Sequence, residues 1–179
     1  MKALLIIDMQ QLSFTPETPR FDTNGVVERI NVLSEKFREN NEPVIFIQHD
    51  GSKDSFCIPN TKEWHILDSL EIEDTDIFVS KTANDAFYKS ELHHILQEKG
   101  IEELVITGCA TDFCVDSTVK SALVKDYKVD VIADAHTTAN RPHLDAEKII
   151  EHYNWMWHEM IQVNGKIKVE SFTDFMSDL

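Results

Sequence analysis

Cysteine, glycine and proline are scarce in this chain of 179 residues, which holds three of the first and five of each of the others. The cysteines (Cys57, Cys109 and Cys114) are odd in number and show no CxxC spacing, so they indicate neither a disulfide framework nor a zinc ribbon. Reduced thiols fit a reducing compartment. The glycines form no GxGxxG, GxxxxGKS or GxxxxGKT loop, which leaves a nucleotide cofactor without a phosphate cradle. No serine stands in a GxSxG elbow and no HExxH occurs. Long apolar runs are also missing. The N-terminal KALLII stretch has five apolar residues before Asp8, far short of a signal-peptide core or a membrane span, and a cytoplasmic location is the expectation. Positive charge is in deficit, with 17 basic against 32 acidic residues and a formal charge of −15, which disfavours nucleic acid or an anionic membrane as a partner.

A hydrophobic content of 42% with 27% charged residues is ordinary for a globular protein, and at this length one domain spanning 1–179 is expected. Strand-like and helix-like segments alternate along the chain. Strands are expected at Lys2–Asp8, Pro43–Gln48, Ile77–Ser80, Leu104–Thr107, Val129–Ala133 and Lys166–Val169. Most lack polar alternation, as strands buried on both faces do. Val26, Ile30, Leu33 and Phe37 keep helical spacing, as do Leu92, Ile95 and Leu96 before a stop at Gly100. A third helix is expected from Thr111 or Asp112 to about Asp126, and a fourth from Pro142 to about Gln162. The expected class is α/β, a three-layer α-β-α arrangement around a mostly parallel sheet of about six strands. The stretch from His49 to Glu73 has the weakest periodicity and reads as a long irregular excursion near a pocket mouth.

Three reactive side chains follow strand-like runs, and such a fold gathers strand ends at one edge of the sheet. Asp8 ends LLIID, Lys81 follows IFVS, and Cys114 lies six residues beyond Gly108, where a strand gives way to a helix. A thiol in a first helical turn meets unpaired N–H groups and the positive end of the helix dipole, and a nearby Lys81 would further favour thiolate. Asp8 is then a candidate proton acceptor. Cys57 and Cys109 have no acid or base beside them in sequence and read as structural. Among the eight histidines only His49 and His65, with Asp50, share a region, and they offer no clear three-ligand set. No metal and no cofactor is expected.

Taken together, LLIIDMQ, SKTANDAF, GCATDFCVDSTV and VIADAHTT, in that order and spacing, resemble the isochorismatase-like cysteine hydrolase superfamily, which includes nicotinamidases and N-carbamoylsarcosine amidases. The resemblance covers nearly the whole chain. It implies the isochorismatase-like hydrolase fold, with Asp8, Lys81 and Cys114 as catalytic residues. It also implies a cis peptide between Cys109 and Ala110 that aims the Ala110 and Cys114 N–H groups at an oxyanion. The implied reaction is attack of the Cys114 thiolate on a small amide or carbamoyl compound through a thioester, with Phe14 and Phe87 as candidate pocket walls. Gln48-His49-Asp50-Gly51 departs from the Asp-x-His metal motif of nicotinamidases, which counts against that activity. Isochorismatase-type vinyl-ether hydrolysis is the alternative, and a non-catalytic binding protein on the same scaffold is a third, weaker one. Apolar residues from Ile149 to Ile161 cover more than one stripe of the fourth helix, so a homo-oligomer acting on a small molecule is expected.

Overall fold

In the computed structural model, which describes residues 1–161, 164 and 166–179, each of the six expected apolar runs forms a strand. These are β1 (Lys2–Ile7), β2 (Val44–His49), β3 (Ile77–Lys81), β4 (Glu103–Cys109), β5 (Lys128–Thr137) and β6 (Ile167–Glu170). All five pairings are parallel and the order is β3-β2-β1-β4-β5-β6. The chain reverses its direction of travel across the sheet after β3, so β1 and β4 sit side by side at the centre, where α/β folds open a crevice.

The central strand shows why a run such as ALLII needs no polar alternation. Leu5 and Ile7 point into one apolar cluster with Val119, Leu123 and Trp157, whereas Leu4 and Ile6 point into another with Val26, Ile30, Leu33 and Phe37. Helix α1 (Thr23–Glu39) and the short α5 (Phe172–Ser177) cover the second face. Helices α2 (Leu92–Glu98), α3 (Asp116–Leu123) and α4 (Ala146–His158) cover the first. Three layers result, as the sequence led us to expect. The second helix stops at Gly100, whose φ of 64° lies in the left-handed region where glycine meets no Cβ penalty. Among the described residues no helix is long and apolar enough to cross a membrane.

Boundaries differ where polar residues are buried. Strand β5 continues four residues past Ala133 because His136 and Thr137 pair with Gly108 and Cys109 beyond a register shift in β4. Helix α4 starts at Ala146 instead of Pro142. Residues 141–144 are committed to a turn closed by Arg141 N–H donating to Leu144 O at 2.8 Å, and Asn140 Oδ1 accepts from the Ala146 N–H at 2.9 Å. The expected end of this helix at Gln162 lies outside the described residues. Helix α5 was not expected; Ser171 Oγ caps it by accepting from Asp174 N–H at 3.1 Å. The excursion between β2 and β3 contains two single 3₁₀ turns, Ser52–Asp54 and Lys62–Trp64.

Candidate active site

Parallel pairing brings the carboxyl ends of β1, β3 and β4 to one edge of the sheet, and the three expected reactive residues meet there. The approach of β4 to β1 is close. Gly108 has φ 116°, and a Cβ on it would lie 2.2 Å from Ile7 O, so only glycine fits beside the last residue of β1. Asp8 follows at once, its N–H donating to Ile47 O at 2.9 Å. Lys81 is 1% exposed, and its ammonium spends its donors on three acceptors: Asp8 Oδ2 at 2.6 Å, Ala83 O at 2.9 Å and Cys114 Sγ at 3.4 Å. The other Asp8 oxygen, Oδ1, is buried with no hydrogen-bond partner among the described residues. The Cys114 thiol also points to Asn84 Oδ1 at 3.6 Å. Above these groups lies a cavity of about 260 Å³, bordered by Asp8, Ala110, Cys114, Asn84, Arg20 and the rings of His49, Phe56 and Phe113.

The electrostatics correct one expectation. Burial and the Asp8 carboxylate push the Cys114 thiol above its ordinary value, and the opposing pull of Lys81 is smaller. The lysine's charge is already matched by Asp8, so it cannot act on the thiol as a free cation. Burial works against the Lys81 ammonium too, but Asp8 and Cys114 outweigh it and hold the pKa above the usual lysine value. Burial and Lys81 lower the His49 pKa, leaving a neutral imidazole stacked on Phe56 at 5.5 Å. Burial lifts the Cys57 thiol to about 11 and the Cys109 thiol to about 12, which suits the structural reading of both.

Cys114 sits in a π-helical turn, Thr111–Val115, that runs into α3. The side chains of Arg141, Thr138 and His136 hold this turn. Asp112 takes a two-pronged grip from Arg141 (2.8 and 2.9 Å) and a bond from Thr138 Oγ1 at 2.6 Å, and these partners outweigh burial to keep its carboxyl below the ordinary range. Thr111 Oγ1 lies 2.9 Å from His136 Nδ1, and His136 Nε2 lies 2.9 Å from Asn154 Oδ1. Because Asn154 Nδ2 donates to Ala133 O, its Oδ1 accepts; His136 therefore donates from Nε2 and accepts the Thr111 hydroxyl at Nδ1. Buried completely, His136 has its pKa lowered to about 4.

Ala110 borders the cavity beside Cys114, and the Cys109–Ala110 peptide is cis. Neither Phe14 nor Phe87 borders it. Phe14 packs at the edge of the α1-side core, and Phe87 is core on the other face, stacked on Tyr127 at 5.8 Å; Phe56 and Phe113 supply the aromatic walls instead. His49, Asp50 and His65 do not converge. His49 faces the cavity, Asp50 accepts from Ser52 N–H at 2.9 Å, and His65 borders a separate groove with Trp64 and Leu67. Among the described residues no group of three or more His, Cys, Asp or Glu is disposed around a common metal position. Sequence reasoning gave no role to Gln10, Arg20, Asn84, Phe56 or Phe113. Gln10 had a signal in its place two residues after Asp8. Its amide donates to Trp64 O at 2.8 Å and accepts from His49 N–H at 2.8 Å, pinning the excursion over the site.

A doubly wound parallel sheet thus brings a cysteine, a lysine and an aspartate together at its carboxyl edge, beneath a small cavity. A family model, the isochorismatase domain, matches residues 2–163, and the chain belongs to the isochorismatase family of hydrolases. It is 31% identical over 167 residues, 91% of each chain, to the isochorismatase family protein YddQ of Bacillus subtilis. It is 28% identical over 141 residues to a streptothricin hydrolase of Streptomyces noursei, covering 79% of this chain and 56% of that one. A crystal structure of an isochorismatase family protein, 28% identical, superposes with a TM-score of 0.85 over 94% of this chain and 96% of its own.

Proposed function

We propose that the protein is a cysteine-dependent hydrolase of a small amide or carbamoyl compound, acting through a thioester on Cys114. The observation that carries this reading is the division of labour at Asp8: Oδ2 is held by Lys81, while Oδ1 is buried with no hydrogen-bond partner among the described residues, in a site whose thiol is kept protonated. An unpartnered buried carboxylate oxygen is costly unless it has a proton to receive. As Sγ bonds to the carbonyl carbon, its proton passes to Asp8 and the carbonyl electron pair moves to oxygen, held by the Ala110 and Cys114 N–H groups. Collapse of this intermediate breaks the C–N bond, and Asp8 returns the proton to the leaving amine. Water, deprotonated by Asp8, then cleaves the thioester and restores the thiol. Lys81, 3.4 Å from Sγ, stabilises the sulfur's developing negative charge and fixes Asp8 in place.

A cavity of about 260 Å³ is below the range of roughly 300–1,000 Å³ usual for drug-sized ligands, which points to a small substrate. The relative named for hydrolysis of streptothricin is in keeping with hydrolysis on this scaffold. The test is a panel of small amides, ureas and carbamates assayed for ammonia release by the wild type and Cys114→Ala. At least one member should be turned over by the wild type and by no measurable amount in the variant. Turnover that survives Cys114→Ala would replace this reading with hydrolysis by water directly, as in vinyl-ether cleavage.

A further inference from the structure

Besides the reacting residues, two cations border the cavity, Arg20 and Arg141, and they are in different states. Arg141 is spent: its guanidinium forks onto Asp112, donates to Thr138 Oγ1 at 2.8 Å and lies 4.9 Å over the Phe113 ring. Arg20 is not. Among the described residues no carboxylate pairs with it, and its Nε is buried with no hydrogen-bond partner. In a chain with 32 acidic residues, an arginine left without an acceptor inside a concave site is conspicuous.

Its position is also built rather than incidental. The backbone around Arg20 is tied to the end of β5: Arg20 bridges Ala139, Phe21 N–H donates to Thr138 O at 3.0 Å, and Thr137 Oγ1 donates to Phe21 O at 2.6 Å. The same end of β5 anchors the turn that carries Cys114, through Thr138 and Asp112. The backbone that carries Arg20 and the turn that carries Cys114 are therefore anchored to the same strand end. The remaining charges at the cavity cancel, since Asp8 is matched by Lys81, Asp112 by Arg141, and His49 is neutral.

We propose that Arg20 is the specificity-determining residue of this site and binds a carboxylate of the substrate, so that the compound hydrolysed is a small amido or N-carbamoyl acid. A planar guanidinium matches a carboxylate with two parallel hydrogen bonds, and the buried Nε gains the acceptor it lacks. This rests on the amidohydrolase reading for the bond cleaved, but the carboxylate subsite can be tested apart from it.

Two measurements separate them. Ammonia release is followed for succinamate, malonamate and N-carbamoylglycine, each against its methyl ester, with the wild type and Arg20→Gln. Binding of the same pairs is measured by calorimetry on Cys114→Ala with and without Arg20→Gln. The wild-type site should favour acid over ester by on the order of tenfold to a hundredfold, and Arg20→Gln should bring that ratio close to one. A ratio taken on one preparation is insensitive to the fraction correctly folded. Absence of any acid preference with intact Arg20, or a preference that survives Arg20→Gln, overturns the proposal. A binding preference that collapses with Arg20→Gln, while neither these compounds nor any member of the wider panel of amides, ureas and carbamates releases ammonia, upholds the carboxylate subsite and removes the amidohydrolase reading.

Discussion

Asp8 Oδ2 stands 2.6 Å from Lys81 Nζ, and both side chains are buried at the edge of the sheet. The pair sets the state of the nucleophile. With the ammonium committed to Asp8, the negative charge beside Cys114 and the burial of its sulfur keep the thiol protonated at rest.

Brief iodoacetamide treatment across a pH series, followed by peptide mapping, reads this directly. Cys114 in the free wild type should label slowly near neutrality and speed up only in the alkaline range. Asp8→Asn removes the nearby negative charge and should move the onset to lower pH, whereas Lys81→Ala should move it higher. Turnover should respond the opposite way to labelling in Asp8→Asn, falling by roughly 10²–10⁴-fold because the proton carrier is lost. Fast labelling of wild-type Cys114 at pH 6.5, or full turnover in Asp8→Asn, would contradict this assignment of roles.

Gly108→Ala tests how tightly the strands close beneath the site. A methyl group at φ 116° would lie 2.2 Å from Ile7 O, so both backbone strain and overpacking oppose it. We expect destabilisation of roughly 3 kcal/mol or more, measured by urea unfolding, together with loss of activity in whatever fraction folds. Stability within 1 kcal/mol of the wild type would show that β4 can shift away from β1.

Much of this architecture was readable from the strands, and the reason is burial. Runs such as ALLII and VIFI are apolar on both faces because the sheet is covered on both, and parallel strands put Asp8, Lys81 and the Cys114 turn at one edge. What could not be read depended on partners distant in sequence. His136 and Thr137 look like the start of a loop until Thr111 and Phe21 O are seen to satisfy them. Phe87 and Phe56 are alike in a sequence, and only packing assigns one to the core and the other to the cavity. Arg20 lies in a segment without periodicity. The sequence brings Asp8, Lys81 and a helix terminus to Cys114, but the state of the thiol turns on its burial and on the commitment of Lys81 to Asp8, and residue order shows neither.

Assembly remains our proposal. Most of the apolar residues of α4 turn out to be internal: Ile149, Ile150 and Trp157 are buried, while Tyr153 and Met156, with Met160 just after the helix, pack against the core. Trp155, 62% exposed, and Ile161, 93% exposed just beyond the helix, are left over. A homo-oligomer that covers them should be seen by light scattering at micromolar concentration, and Trp155→Glu should shift it to smaller species. A wild-type monomer under these conditions would refute it.

The His136 network makes a separate claim about pH. In the folded chain His136 titrates near 4, against about 6.5 when unfolded, so between these values the unfolded state binds the extra proton. Its contribution to stability is therefore complete above pH 6.5 and is lost as the pH falls through that window, by an amount on the order of 3 kcal/mol. Asp130 acts the other way. Burial and Glu103 raise its carboxyl to about 6, so the folded state holds a proton there that the unfolded state has released, and acidification from 6 to 4 adds stability. The wild-type curve shows only the difference, and the variants separate it. Relative to the wild type, His136→Gln should flatten the loss of stability between pH 6.5 and 4, and Asp130→Asn should steepen it. Because Thr111 heads the turn that carries Cys114, the His136→Gln variant should also lose turnover at pH 7, where the wild-type imidazole is neutral and in place. Identical stability profiles for His136→Gln and the wild type would mean that this imidazole does not hold the turn as the hydrogen bonds imply.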